Sequence, residues 1–308
     1  LTVCLKAGKT IVMTHSSSPS GTPQNDTLRG IMFILIAVNM FPFMNIMVKV
    51  LSTDYNTIQL VWARYAGHLI FVLILFMPRR GWRLLRTRQP VPQIVRSLFL
   101  FTSTSCFFFS LNYISVPTAS MINFTSPLIA TVLAIPLLGE KVGIHRICAV
   151  LAGLIGAAII LRPGGVESHW AMFIGLGSAT AYAGYQLLTR WTADGDPAET
   201  SIAYTAVVGA VVTSFALPWV WQSPDNWLDL AQFIAIGCIG GLGHFFVIRA
   251  FQHGEVSIIT PFNYAQLVIA ILLTYFIYGE LPEFYSWIGA AIIIASGIYI
   301  TFRESRDR

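Results

Sequence analysis

Arg64 and His68 stand four residues apart in a segment, 57–77, that carries no other charge. On a helix that spacing puts both side chains on one face. An arginine inside an apolar helix costs a few kcal/mol in lipid, so it is expected to face the bundle interior or water. The chemistry this allows is recognition. A guanidinium offers paired N–H donors that fit a carboxylate. The bland alternative is a strut that pairs with backbone carbonyls or closes a gate. His68 and His244 read first as hydrogen-bonded interior histidines, and only second as proton relays.

The other polar groups in apolar segments are neutral, and they include Asn45, Asn112, Asn123, Tyr182, Gln186, Tyr204, Asn263 and Gln266. Singly, each could bridge two helices in a membrane. As a set, with Phe43, Phe107, Phe108, Phe109, Phe245 and Phe246 nearby, they describe a central cavity with an aromatic and neutral-polar lining. The expected substrate site is Asn45, Arg64, His68, Phe107, Asn112, Asn123, Tyr182, Gln186, Tyr204, His244, Asn263 and Gln266. Pro42 and Gly241 are the expected hinges, because proline removes a helix hydrogen bond and glycine tolerates bending.

None of the 14 acidic residues falls in the middle of an apolar segment. Ion-driven transporters commonly keep a carboxylate there, so the pattern argues against carboxylate coupling and against a glutamate-based cation pump. No GxSxG nucleophile motif and no metal-ligand cluster occurs, which leaves an intramembrane hydrolase built on His68 or His244 as a remote alternative. No cofactor or metal is expected. The four cysteines are scattered and form no pairing framework.

These residues must be held by membrane helices. The chain of 308 residues is 55% hydrophobic and 11% charged, against about 25% charged in a soluble domain. Ten apolar segments approach the ~20 residues that cross a bilayer. They lie at roughly 28–50, 57–77, 94–114, 118–138, 145–161, 169–190, 199–221, 229–253, 256–278 and 284–302. The expected class is an all-α integral membrane protein. Residues 1–27 are polar and are expected to be a disordered cytoplasmic N-terminus, with Met13 a candidate start. Residues 303–308 form a short cytoplasmic tail.

Lysine and arginine set orientation. Arg79, Arg80, Arg83, Arg86, Arg88 and Arg96 crowd the second connection, and Lys141, Arg146, Arg190, Arg249 and Arg303 fall on the same side if the N-terminus is cytoplasmic. The net charge of +5 is therefore a membrane-orientation signal, not a nucleic-acid footprint. Both termini are expected in the cytoplasm.

The chain also repeats itself. Aligning Gly139-Glu140 with Gly279-Glu280 brings Val116 onto Val256, Asn123 onto Asn263, Phe124 onto Tyr264 and Leu133 onto Leu273. Farther back, Asn112 meets Gln252, and with one residue of gap Asn45 and Lys49 meet Gln186 and Arg190. Five segments per copy make the copies opposite in topology, 28–162 and 163–302. Inverted repeats around a midplane site characterise secondary transporters. Small residues such as Gly156-Ala157 and Gly289-Ala290 mark the fifth and tenth segments as packing helices, with a dimer contact an open option.

The order Leu111-Asn112-Tyr113, Thr118-Ala119-Ser120, Ser126-Pro127, Leu138-Gly139-Glu140-Lys141 and Arg162-Pro163 resembles the EamA-type members of the drug/metabolite transporter superfamily, nearest to YddG-like amino-acid and metabolite exporters. The second half follows the pattern more loosely and has Leu267 where Pro127 stands in the first. The resemblance implies ten helices as two inverted repeats, a central cavity, and export from a bacterial cytoplasm across the inner membrane. Combined with the residues above, it predicts an alternating-access exporter of neutral amino acids or similar small metabolites, monomeric or homodimeric in the lipid bilayer. The alternative is an exporter of amphiphilic drugs or aromatic cations of the methyl viologen type.

Overall fold

The computed structural model describes residues 23–138, 144–161, 170–193, 195–254 and 259–306, and among them every regular element is helical. Met13, the Gly139-Glu140 pair and Glu255 lie outside the described residues. The helices are α1 (Pro23–Leu51), α2 (Thr57–Arg80), α3 (Pro90–Leu111), α4 (Val116–Asn123), α5 (Ser126–Leu138) and α6 (Ile144–Leu161) in the first half. The second half has α7 (Ala171–Thr192), α8 (Ala198–Ala216), α9 (Trp227–His253), a 3-10 turn (Thr260–Ala265), α10 (Gln266–Tyr278) and α11 (Phe284–Arg306). Five stretches have the length and apolar composition to cross a membrane: Thr27–Leu51, Thr57–Leu85, Pro90–Leu111, Ala198–Trp219 and Trp227–His253.

The outer surface is apolar. Ile74, Phe215 and Phe276 are 71%, 74% and 78% exposed, which suits lipid and not water. Trp82, Trp219 and Trp227 are exposed at helix ends, where amphipathic rings meet the headgroup region.

Caps and turns set the helix ends. Asn56 accepts from the Ile58 N–H at 2.9 Å before α2, and Asn226 accepts from the Asp229 N–H at 2.9 Å before α9, each satisfying a donor that the first helical turn leaves free. Gly279 adopts φ 70° and donates to the Tyr275 carbonyl at 2.9 Å. A residue with a Cβ is strained in that left-handed conformation, which explains the glycine of the Gly-Glu pair after α10.

Packing partners repeat when the two halves are exchanged. α1 lies on α9 and α7 lies on α3; α2 meets α8, and α6 meets α11. Individual residues obey the same exchange. Lys49 at the end of α1 donates to the Leu111 carbonyl that ends α3, and to Ile114 O at 3.3 Å. Its counterpart Arg190 at the end of α7 donates at 3.3 Å to Phe251 O near the end of α9, the position that matches Leu111.

Two expected segments differ from continuous helices. Segment 118–138 is broken between α4 and α5 at Phe124-Thr125, and 256–278 contains the 3-10 turn before α10. The cause in the first copy is local. Pro127 has no N–H to give the Asn123 carbonyl, while the Thr125 hydroxyl donates to the Ile122 carbonyl at 2.8 Å. The two irregular stretches touch: the Phe124 and Tyr264 rings meet edge to face with centroids 5.0 Å apart. Residues that the repeat makes equivalent thus contact each other at the centre of the molecule.

Candidate functional site: a central cavity

Around that centre lies a cavity of about 730 Å³ of non-atom space, solvent at its opening included. α1 contributes Val38, Phe41, Met44 and Asn45, and α3 contributes Leu100, Ser103, Thr104, Phe107 and Phe108. The broken stretches contribute Ser120, Asn123, Phe124, Ser126, Asn263 and Gln266. Arg64 enters from α2, Tyr182 from α7 and His244 from α9. Among the described residues no carboxylate lines this space.

Arg64 is 1% exposed, and its Nε and Nη1 have no hydrogen-bond partner among the described residues. The packing around it is specific. A Cβ at Gly240 would lie 3.2 Å from the Arg64 Cγ, so the glycine makes room for the stem. The guanidinium carbon stands 4.5 Å from the Tyr65 ring centroid, within cation–π reach. Tyr65 in turn is seated against Gly209, where a Cβ would come within 2.2 Å of the ring. Its hydroxyl bonds the Thr104 hydroxyl at 3.3 Å. The structure thus fixes the arginine through apolar and aromatic contacts and leaves its donors for something else.

His244 packs against Phe41 with centroids 5.0 Å apart, and its Nδ1 is 3.4 Å from the Tyr185 hydroxyl. Tyr182 stacks on Tyr185 at 5.6 Å. Behind Tyr185 lies a second buried arginine. Arg96 has its guanidinium carbon 5.4 Å from the Tyr185 centroid and is 0% exposed. By charge pattern it groups with the basic connection after α2. It sits instead two turns inside α3, because that helix starts at Pro90.

Eight of the twelve expected site residues meet at the cavity: Asn45, Arg64, Phe107, Asn123, Tyr182, His244, Asn263 and Gln266. Four do not line it. His68 and Gln186 are fully buried, with both side-chain nitrogens of the one and both amide atoms of the other unpartnered among the described residues. Asn112 bonds the Thr57 hydroxyl at 2.8 Å and so ties the end of α3 to the start of α2. Tyr204 gives its hydroxyl to Leu85 O at 3.1 Å, away from the cavity. Of the expected aromatic lining, Phe107 and Phe108 are in place. Phe43 is 49% exposed, Phe109 packs on Tyr113 and Trp170, and Phe245 and Phe246 pack on Phe76 and Phe33.

Phe41, Thr104, Phe124, Ser120 and Ser126 line the cavity without having been expected there. Two of them carry a signal in the sequence. Phe41 is one helical turn from Asn45, hence on its face, and Phe124 is the repeat partner of Tyr264. The hinge candidates sit differently. Pro42 lies within a continuous α1, among its cavity-lining residues. Gly241 lies in a continuous α9, where a Cβ would come within 2.8 Å of the His68 ring.

An all-helical bundle with an apolar jacket and a polar chamber at the junction of two related halves is the architecture of a membrane transporter. The comparisons agree. The EamA-like transporter family is matched twice, over residues 28–162 and 169–303, and the chain belongs to that family. It is 28% identical to an S-adenosylmethionine uptake transporter of Rickettsia bellii, over 92% of this chain and 98% of that one. It is 29% identical to a riboflavin transporter of Vibrio cholerae, over 91% and 95% of the two chains. A pseudopaline exporter, CntI, of Pseudomonas aeruginosa is 25% identical over 88% and 95%. A solved crystal structure superimposes with a TM-score of 0.65 over 92% of this chain and 98% of its own, at 17% identity, a likeness of fold.

Proposed function

We propose that this protein is an alternating-access transporter of zwitterionic amino acids, or of metabolites that carry an amino-acid end. In this reading ten spanning helices form two inverted repeats, 28–162 and 163–302, in a bacterial inner membrane, with both termini cytoplasmic. The observation that carries the substrate class is Arg64. Its Nε and Nη1 are buried and unpartnered among the described residues, beside a cavity with no described carboxylate. A buried charge left unpaired is costly, so the site is suited to a ligand that brings its own carboxylate. The amino-acid end of S-adenosylmethionine, the substrate named for one relative, has that group.

Alternating access is reversible, so the substrate gradient sets the net direction. For a metabolite made in the cytoplasm that direction is export. The relatives include both uptake transporters and an exporter.

Counterflow into proteoliposomes tests the reading. Labelled phenylalanine, methionine, threonine and S-adenosylmethionine are offered to vesicles preloaded with unlabelled amino acid. Saturable, mutually competing uptake is the expected result, and it falls about 10–100-fold in Arg64→Ala, the loss expected for charge-assisted hydrogen bonds. Unchanged uptake by folded Arg64→Ala overturns the role given to Arg64. Uptake of methyl viologen that no amino acid inhibits would favour aromatic cations, for which the rings of Phe41, Phe107 and Phe108 offer stacking surfaces.

A further inference from the structure

We infer that Asn123, at the break between α4 and α5, is the subsite for the substrate's ammonium group, and that the second copy of the repeat does not supply one. The inference rests on the proposed role of Arg64 and extends it to the other charge of a zwitterion.

An ammonium group needs acceptors. Among the described residues the cavity offers no carboxylate, so neutral oxygens must serve. Asn123 supplies two. Its side-chain Oδ1 is buried with no hydrogen-bond partner among the described residues. Its main-chain oxygen would, in a continuous helix, accept from the residue four positions on. That residue is Pro127, which has no N–H to give. One residue at the cavity wall therefore presents a side-chain acceptor without a donor and a main-chain acceptor deprived of its helical donor. Buried polar groups are normally satisfied, so a concentration of acceptors here points to a ligand that donates. α1 repeats the device. Pro42 has no N–H for the carbonyl of Val38, another cavity-lining residue.

The repeat provides an internal control. Asn263 occupies the equivalent place and also lines the cavity. The position matching Pro127 is Leu267. In this copy the Asn263 carbonyl accepts the Gln266 N–H. The two asparagines are equivalent by sequence and unequal at the main-chain oxygen, which has an N–H donor in the second copy and faces a proline in the first. A cavity built from two like halves thereby acquires one end for an ammonium group, with Phe41, Phe107 and Phe108 left to pack an apolar side chain.

The test compares three competitors against labelled phenylalanine counterflow: phenylalanine, 3-phenylpropionate, which lacks the ammonium group, and phenethylamine, which lacks the carboxylate. In the unaltered protein both analogues should compete at least tenfold more weakly than phenylalanine. Asn123→Ala should raise the half-inhibitory concentration of phenylalanine about tenfold and leave that of 3-phenylpropionate unchanged. Pro127→Ala, which restores an N–H for the Asn123 carbonyl, should weaken phenylalanine about threefold, again sparing 3-phenylpropionate. Asn123→Asp should gain competition by phenethylamine. A merely structural role would shift phenylalanine and 3-phenylpropionate together, and that result overturns the inference while Arg64 keeps its role. An equal loss in Asn263→Ala and Asn123→Ala overturns the asymmetry. Absence of any phenylalanine counterflow removes both the Arg64 reading and this one.

Discussion

Two buried arginines, Arg64 and Arg96, have opposite surroundings. Arg96 is fully engaged. Its Nε donates to the Gln93 amide oxygen at 3.1 Å, and its Nη2 donates to the Thr205 hydroxyl at 2.9 Å and to Ser201 O. Gln93 continues the network to Asp196 at 3.0 Å and Ser201 at 2.9 Å. Asp196 also takes the Thr87 hydroxyl and the Arg88 N–H. With Arg96 Nη1 3.5 Å from the Thr189 hydroxyl of α7, α3, α7 and α8 are bound together there. Arg64, by contrast, has Nε and Nη1 free among the described residues. The lesson is that burial of an arginine does not mark a site. What separates structure from function is whether its donors are already satisfied, since a satisfied network rigidifies a fold and an unsatisfied charge costs stability.

That contrast can be broken by mutation. The largest expected effect is on transport in Arg64→Ala, the 10–100-fold loss given above, with a melting temperature in detergent equal to or above that of the parent. Removing an uncompensated charge relieves strain and breaks no Arg64 hydrogen bond among the described residues. A fall in melting temperature without loss of transport would make Arg64 a strut like Arg96.

Arg96→Ala should do the reverse. It strands the buried Gln93 oxygen and removes the bonds to the Thr205 hydroxyl and Ser201 O, at about 1–3 kcal/mol per group. The expected outcome is a melting temperature lower by about 5–10 °C, read by differential scanning fluorimetry, with substrate affinity unchanged in the fraction that stays folded. A change in competitor selectivity would instead join Arg96 to the site.

A third variant addresses the helix crossing that positions Arg64. α2 and α9 meet backbone to backbone at Gly67 and Gly237, where a Cβ on Gly237 would lie 2.4 Å from the Gly67 Cα. Gly237→Ala should destabilise by about 1–3 kcal/mol through overpacking and weaken substrate binding by displacing Arg64. Equal stability and equal affinity would show that the crossing tolerates separation. The smallest effect is expected for Tyr204→Phe. It loses one hydrogen bond to Leu85 O, about 1 kcal/mol, and should leave counterflow within twofold of the parent. A tenfold loss would return Tyr204 to the transport pathway.

Much of the site was legible because a duplication gives each position a second reading. Asn123 and Asn263 were matched by alignment and both line the cavity. Lys49 and Arg190, matched across a gap, both hold the end of the same kind of helix. Asn112 and Gln252 were matched as well. They prove to be ties at connection ends, to Thr57 and to the Asp196 carbonyl. Polarity in an apolar segment announces a hydrogen bond, but the sequence does not say whether the partner is substrate or chain. Arg96 and Asp196 were obscured for a related reason. Asp196 stands beside Asp194 and Glu199, and Arg96 lies two residues into the 94–114 segment, where a charge reads as a helix end and not as core.

Composition, the charge bias and the repeat therefore determined a helical membrane protein of two related halves, because segment length and apolarity are properties of the chain alone. The tertiary structure decided which buried polar groups are satisfied. That depends on distances across helices far apart in sequence, as between Arg96 and Ser201, and on breaks such as Phe124-Thr125, where a proline withholds one hydrogen bond from a residue that only packing brings to the cavity.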